Sequence, residues 1–481
     1  MKTYFVILST TLVPLLSVAQ SSLAIKNVSI IDMKDSTIKK NQTVIIKGNK
    51  ISSIGNLSNV PKQATVIDGK DKYLIPGLWD MHVHMWHERW EKSTSTIEGR
   101  EVFLGMFIPN GITGVRDMGG DQKQIKIWKK EIGQGKLIGP RIVAGPIVDG
   151  PAKLQEDYIV VGTPKQAIRT VDSLVEQKVD FVKVYTTLPR EAYFALANEC
   201  NARHIPFEGH LPDAITAAEA AEAGQKTIEH LAWIPLSCSS KEDSLRKEVA
   251  AERASATKQP SQGTAVTNPL LERFKILMST YDTKKAQALY AVLKKYHTWI
   301  CPTLNVSQPF LWKNNQPFFQ DDRIKYMPGW MRDRLNVGDL KNGIADDDMQ
   351  VRKEWYKYLQ KMVGDMHKAN IPMLAGTDFP FFCFAGYSLH EELERLVQAG
   401  LSPYEALKTA TSNPAKFLRK ENELGTIEKG KLADLVLLNA NPLENISNTK
   451  KIEAVVVNGK LLQRKDLDAM LRKVEESAKN Q

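Results

Sequence analysis

The feature that most constrains this chain is a recurrence. Short apolar runs, LWDMHVH, GITGVRD, RIVAGP, FVKVY, IPFEGH, KTIEH, WICPTL and IPMLAGTD, return one after another with amphipathic helical stretches between them. Eight such runs alternating with helices form the pattern of a (β/α)8 TIM barrel, an α/β fold. The spacing agrees, since Lys183, His210 and His230 follow one another at 27 and 20 residues, about one β/α unit each. The 148 residues from His230 to Asp378 exceed two units. Insertions are therefore expected over 234–273 and 308–348, the second rich in Trp, Phe, Asp and Lys. Long connections after barrel strands lie over the face that carries the sites of barrel enzymes, so these are expected to form a lid.

The flanks have another texture. From Leu23 to Leu74, and again in DLVLLNANP and IEAVVVNGKLL, β-branched runs alternate with turn residues. A small β-sandwich built from both termini is the expectation, over 20–75 and 423–465, around a barrel over 76–422 and before a C-terminal helix over 466–481. Residues 1–19 read as a cleaved signal peptide: Lys2, an apolar run from Tyr4 to Leu16, then Ser17-Val18-Ala19. That run falls short of the roughly 20 residues that span a bilayer. The expectation is an exported chain, periplasmic or secreted, with no membrane span after cleavage.

Within 481 residues, 42% hydrophobic and 25% charged, the formal charge of +10 is spread over the whole chain. Nucleic-acid binding needs clustering. The densest basic stretches, Lys123 to Lys130 and Lys284 to Lys295, are spaced like solvated helix faces. A small-molecule substrate is the expected partner, with homo-oligomerisation left open. Cys200, Cys238, Cys301 and Cys383 are too far apart for a disulfide scaffold or zinc knuckle and read as buried free thiols.

Chemistry concentrates at the ends of the strand-like runs. In Asp80-Met81-His82-Val83-His84, alternate strand residues share a face, so both imidazoles can enter the barrel mouth, where they suit a borderline cation such as zinc. Two core histidines satisfied by hydrogen bonds are the alternative. His210 closes IPFEGH, His230 closes KTIEH and Asp378 closes IPMLAGTD, and strand ends of a parallel barrel converge on one mouth. His204, His297 and His367 lack this placement. His87 stands in a loop as a supporting candidate, and His390 reads as a hydrogen-bonding residue at a helix start. Lys183 interrupts an apolar strand, where an unpaired ammonium is costly. It either meets a buried carboxylate, hydrogen-bonds at the strand end, or loses its proton on burial and adds carbon dioxide to give a carbamate that bridges two cations.

Taken together, IPGLWDMHVH, GITGVRDMGG, GPRIVAGP, DFVKVY, the GH of IPFEGH, TIEHL, LAGTD, SLHEELERLVQAGLSPYEALKTATSNPAKFL and LGTIEKGKLADLVLL resemble the amidohydrolase superfamily. Within it they are similar to secreted relatives of imidazolonepropionase and to prolidase-like carboxypeptidases. The resemblance implies two divalent metal ions, zinc foremost: His82 and His84 on the first, His210 and His230 on the second, carboxylated Lys183 bridging them, and Asp378 on the first metal as the catalytic proton carrier. Many prolidase-like members carry a second histidine soon after the fifth-strand ligand. Here Leu211 and Pro212 follow His210, so the family's substrate subsite does not carry over.

Two cations roughly 3.5 to 4 Å apart supply hydroxide near neutral pH and polarise the carbonyl it attacks. The expected activity is hydrolysis of amide or peptide-type C–N bonds, with dipeptides or N-acyl amino acids as first substrates. A cyclic-amide hydrolase, a lactonase and a non-catalytic metal-holding binder are the alternatives. Trp312, Tyr326, Trp330 and Arg332 in the second insertion are expected to cover the substrate and meet a side chain and a carboxylate.

Overall fold

The computed structural model describes residues 22–56, 59–85, 104–151, 158–255, 268–336 and 343–479. The signal-peptide expectation and His87 lie outside these residues.

Short parallel strands carry the centre of the molecule. One three-stranded sheet joins β6 (Leu78–Val83), β7 (Ile112–Asp117) and β8 (Arg141–Ala144). A six-stranded sheet orders β10 (Ile159–Val160), β9 (Ile147–Asp149), β11 (Val182–Val184), β12 (Phe207–Gly209), β13 (Thr227–Glu229) and β14 (Trp299–Cys301). The RIVAGP run thus yields β8, with β9 starting after the break at Gly145-Pro146. IPMLAGTD differs from expectation: residues 372–378 form no extended strand, yet they bond to an outer strand of each sheet. Ile300 donates to Pro372 at 3.0 Å, Leu374 to Ile300 at 2.9 Å, Met81 to Ala375 at 2.9 Å and Asp378 to His82 at 2.8 Å. Gly376 explains the close approach, because a Cβ there would sit 2.6 Å from that of His82 and 2.7 Å from Cys301 Sγ.

Helices pack around the parallel strands because their apolar residues recur at helical spacing. Gln122–Gly133 starts at Asp121, whose carboxylate accepts from the Lys123 and Gln124 amides, and it buries Ile125, Trp128 and Ile132. Lys123, Lys126 and Lys130 stay exposed on its other face. Thr283–Lys295 repeats the design, with Asp282 at its start and Ala286, Leu289, Tyr290 and Leu293 buried. Each buried side chain of this size contributes about 1.5–3 kcal/mol, so the inward stripe outweighs helix propensity. Among the described residues no helix is long and apolar enough to cross a membrane.

The terminal segments share one eight-stranded sheet. Its path runs β17 (Lys460–Gln463), β16 (Ile452–Val457), β15 (Leu435–Leu438), β5 (Tyr73–Pro76), β1 (Ser22–Ile31), β2 (Ile38–Lys47) and β3 (Lys50–Gly55), with β4 (Thr65–Asp68) also on β1. β1 pairs antiparallel with β2 on one edge; on the other, β4 takes Leu23–Lys26 and β5 takes Ser29 and Ile30. Its own apolar cluster includes Ile25, Val28, Val44, Leu74, Leu435 and Val456. The chain's last described element is the helix Arg464–Lys479. All four cysteines are buried and free.

Candidate metal centre

The ends of β6, β11, β12 and β13 and the segment after Gly376 bring His82, His84, Lys183, His210, His230 and Asp378 around one cavity of about 160 Å³; all of these but His82 line it. His82 Nε2 and His84 Nε2 each lie 3.2 Å from the same oxygen, Asp378 Oδ1. The His82 ring centre is 4.5 Å from that of His230, which is 4.8 Å from that of His210. Local backbone geometry contributes: His230 and Asp378 both adopt left-handed φ, near +58°, which turns their side chains out of strand alternation into the mouth. Gly209 has φ +131°, and a Cβ there would meet the Val184 carbonyl at 2.4 Å and Lys183 Cγ at 2.9 Å. The glycine before His210 therefore lets two of the candidate residues sit side by side.

Hydrogen bonds fix several of the rings. His82 Nδ1 is 2.7 Å from Glu229 Oε2, His230 Nδ1 is 2.7 Å from Thr303 Oγ1, and His210 Nδ1 is 3.2 Å from Thr186 Oγ1. The turn that follows Thr303 is held by buried Glu392, which accepts from the Leu304 and Asn305 amides at 3.0 and 2.7 Å. Asp80 ties β6 to the Asp378 segment, accepting from Thr377 Oγ1 at 2.7 Å and from the Thr377 amide at 3.0 Å. Tyr185 stacks on the His210 ring at 4.1 Å.

Burial governs the electrostatics. It lowers His84 to about 4 and His230 to about 3, and takes His210 well below its ordinary value, so these rings favour the neutral, metal-ligating form. Burial opposes the charge of Asp378, but His230 and His82 outweigh it and hold the carboxyl well below the usual range. Burial lowers Lys183 to about 8.

The donor set fits cations. Three side chains, His82, His84 and Asp378, offer ligand atoms all within 4.8 Å of one another. His82 Nε2 and Lys183 Nζ are buried and lack a hydrogen-bond partner. A buried polar atom left so costs about 1–3 kcal/mol, which a bound group would offset. The buried-carboxylate reading of Lys183 is not met, because no acid among the described residues lies within ion-pair distance of its Nζ.

Beneath the mouth is a layer that the sequence reading passed over. Arg116 on β7 donates from Nη1 to Glu208 at 2.7 Å, from Nη2 to Glu229 at 2.8 Å and from Nε to the Met81 carbonyl at 2.6 Å; Thr227 Oγ1 also donates to Glu229. The signal was present, since one arginine and two glutamates interrupt apolar strands just as Lys183 does.

The expected lid is corrected in part. Trp330, Met331 and Leu335, from the helix Gly329–Leu335, line the cavity with Ile147, Tyr158, Tyr185, Pro380 and Phe381. Trp312, Tyr326 and Arg332 do not. Trp312 packs on Phe318 and Phe382, and Tyr326 stacks on Tyr387 at 5.9 Å, so these aromatics anchor the insertion instead of meeting substrate. No described residue of 234–273 lines the cavity. His390 is buried in the first turn of Tyr387–Gln398, bonded to Thr449 and the Asn110 carbonyl.

The amidohydrolase family model matches residues 359–462, which include the Asp378 segment. Over that stretch the chain carries an amidohydrolase-family domain. The chain is 22% identical to a 5-methylthioadenosine/S-adenosylhomocysteine deaminase of Caldanaerobacter subterraneus subsp. tengcongensis, over 95% of this chain and 98% of that protein. Its fold is similar to that of a putative prolidase from Bifidobacterium longum, with a TM-score of 0.65 and 22% identity over 95% of this chain and 99% of the other. A Xaa-Pro dipeptidase solved with methionine in its active site superposes with a TM-score of 0.64 and 19% identity, over 92% of this chain and 100% of the other.

Proposed function

We propose that this enzyme is a binuclear metal-dependent hydrolase that cleaves amide or peptide-type C–N bonds in small substrates. The observation that carries the reading is Lys183: a buried amine without a hydrogen-bond partner, at the mouth where four histidines and Asp378 converge. In this reading residues 372–378 act as an eighth strand and close a (β/α)8 barrel over 76–422, the terminal sheet folds over its apolar cluster as a small sandwich, and residues 1–19 direct export.

His82, His84 and Asp378 would hold one cation and His210 and His230 the other, with carboxylated Lys183 between them. A neutral Lys183 amine would add carbon dioxide and release a proton, and the carbamate so formed would give the site two anionic oxygen donors. When bound, the pair of cations supplies hydroxide near neutral pH and polarises the scissile carbonyl. Asp378, held as a carboxylate, takes the proton of the attacking water and delivers it to the leaving nitrogen. Tyr158, Tyr185, Trp330, Met331, Leu335 and Phe381 form a largely apolar wall that favours an aromatic or aliphatic group next to the scissile bond.

The test is a screen of metal-loaded protein against dipeptides and N-acyl amino acids with apolar side chains, beside adenosine-type nucleosides and lactones. Turnover of the first group with two metal equivalents per chain is expected. Ammonia release from nucleosides alone would replace peptide hydrolysis by deamination, and metal binding without turnover of any substrate would leave a binder.

A further inference from the structure

Glu229 occupies an unusual junction. One carboxylate oxygen, Oε2, faces His82 Nδ1 at 2.7 Å; the other, Oε1, takes Arg116 Nη2 at 2.8 Å and the Thr227 hydroxyl. Arg116 cannot turn away, because Glu208 Oε2 and the Met81 carbonyl hold its remaining donors at 2.7 and 2.6 Å. The side chains of Arg116, Glu229 and His82 are fully buried. The Arg116 guanidinium, a permanent cation, and the Thr227 hydroxyl both donate to Glu229, which is therefore paired there as a carboxylate.

An ionised carboxylate only accepts hydrogen bonds, so the His82 nitrogen facing it must carry the proton. A neutral imidazole has one N–H, which leaves Nε2 bare. That atom is buried without a hydrogen-bond partner, 3.2 Å from Asp378 Oδ1. We infer that Glu229, clamped by Arg116, is a positioning residue that fixes the Nδ1–H tautomer of His82 and so presents its Nε2 lone pair to a metal ion. The inference rests on the metal-centre reading above and adds a residue and a direction of control to it.

Substitution separates this role from mere packing. In Glu229→Gln the donors of Arg116 and Thr227 claim the amide oxygen, which leaves the amide NH2 facing His82 Nδ1. Donor then meets donor unless the ring changes tautomer, and the proton moves to Nε2. Glu208→Gln alters the same buried layer but touches only Arg116, so His82 keeps its tautomer.

The experiment uses full-length chain labelled with 15N-histidine, loaded with zinc alone. It reads the His82 ring nitrogens by NMR, metal equivalents by elemental analysis and folding by thermal melting. Wild type and Glu208→Gln should show a protonated Nδ1 and two equivalents. Glu229→Gln should show the reversed tautomer and an affinity for the first equivalent lowered by about 10- to 100-fold, the usual loss when a ligand's outer partner is removed. If Glu229→Gln does not fold, Glu229→Asp, which withdraws the carboxylate by one methylene, should give the same loss of affinity. A folded Glu229→Gln or Glu229→Asp protein with unchanged affinity overturns the inference, as does an equal loss in Glu208→Gln. Wild type that takes up no zinc overturns the metal centre itself.

Discussion

Two layers of buried polar groups lie a few residues apart on the same parallel strands, and they are built on opposite terms. In the deeper layer, Arg116 meets Glu208, Glu229, Thr227 and the Met81 carbonyl, so its donors are matched by acceptors. At the mouth, His82 Nε2 and Lys183 Nζ are equally buried and have no hydrogen-bond partner. The difference shows how to read polar residues inside a fold. A closed network holds geometry, whereas an open valence marks the place where a further group belongs.

The contrast is broken most severely at Lys183. Lys183→Ala should abolish turnover and partly empty the site, with activity restored by short carboxylic acids that replace the bridge. The metal-stripped variant should melt no lower than wild type, because it loses a buried amine that has no hydrogen-bond partner. An unmodified amine in fully metallated wild type, seen by mass, would end the carbamate reading. Asp378→Asn comes next: its amide can ligate through oxygen but accepts no proton, so turnover should fall by roughly 10²- to 10⁴-fold with metal content retained. Near-normal rates in metal-replete mutant would remove the proton carrier.

Arg116→Met attacks the closed layer. It strands two buried carboxylates and should cost about 3–5 kcal/mol in chemical denaturation; a loss below about 1 kcal/mol would show that the layer is not a clamp. His390 is a fully partnered buried histidine outside both layers. Burial lowers it to about 4 from an ordinary 6.5. The unfolded chain therefore takes up the proton first, and this ring's contribution is complete above pH 6.5 and lost as pH falls toward 4. About 3 kcal/mol is at stake, and urea melts across this range should be flatter in His390→Gln than in wild type. The smallest effect is expected at the wall: Trp330→Ala should lower kcat/KM for apolar substrates by about tenfold and leave metal content intact.

The alternation of β and α units was legible because apolar strands leave a period that helices do not share, and the candidate ligands because each ends its own run. Three things were less legible. The Asp378 segment bonds like a strand but is not extended as one, since Gly376 and left-handed Asp378 shape it for close approach. The roles of Trp330 and Trp312 could not be told apart, because both stand in one aromatic-rich insertion and only packing decides which faces the cavity. The Arg116 layer went unpaired because its members come from strands some 90 to 110 positions apart, and a single sequence carries no trace of such a meeting.

The sheet woven from both ends of the chain also sets the order of assembly. β5 waits between β1, its near neighbour in sequence, and β15, so distant that the Lys72 ammonium reaches Asn439 across 367 positions. Its pairing cannot finish until the chain has been synthesised as far as Leu438, and closing so long a loop is slow. The early strands therefore spend the longest time with an open edge, exposed to pairing with other chains. Loss of the last fifty or so residues, which removes β15, should then be felt first as aggregation of the amino-terminal strands, far from the break.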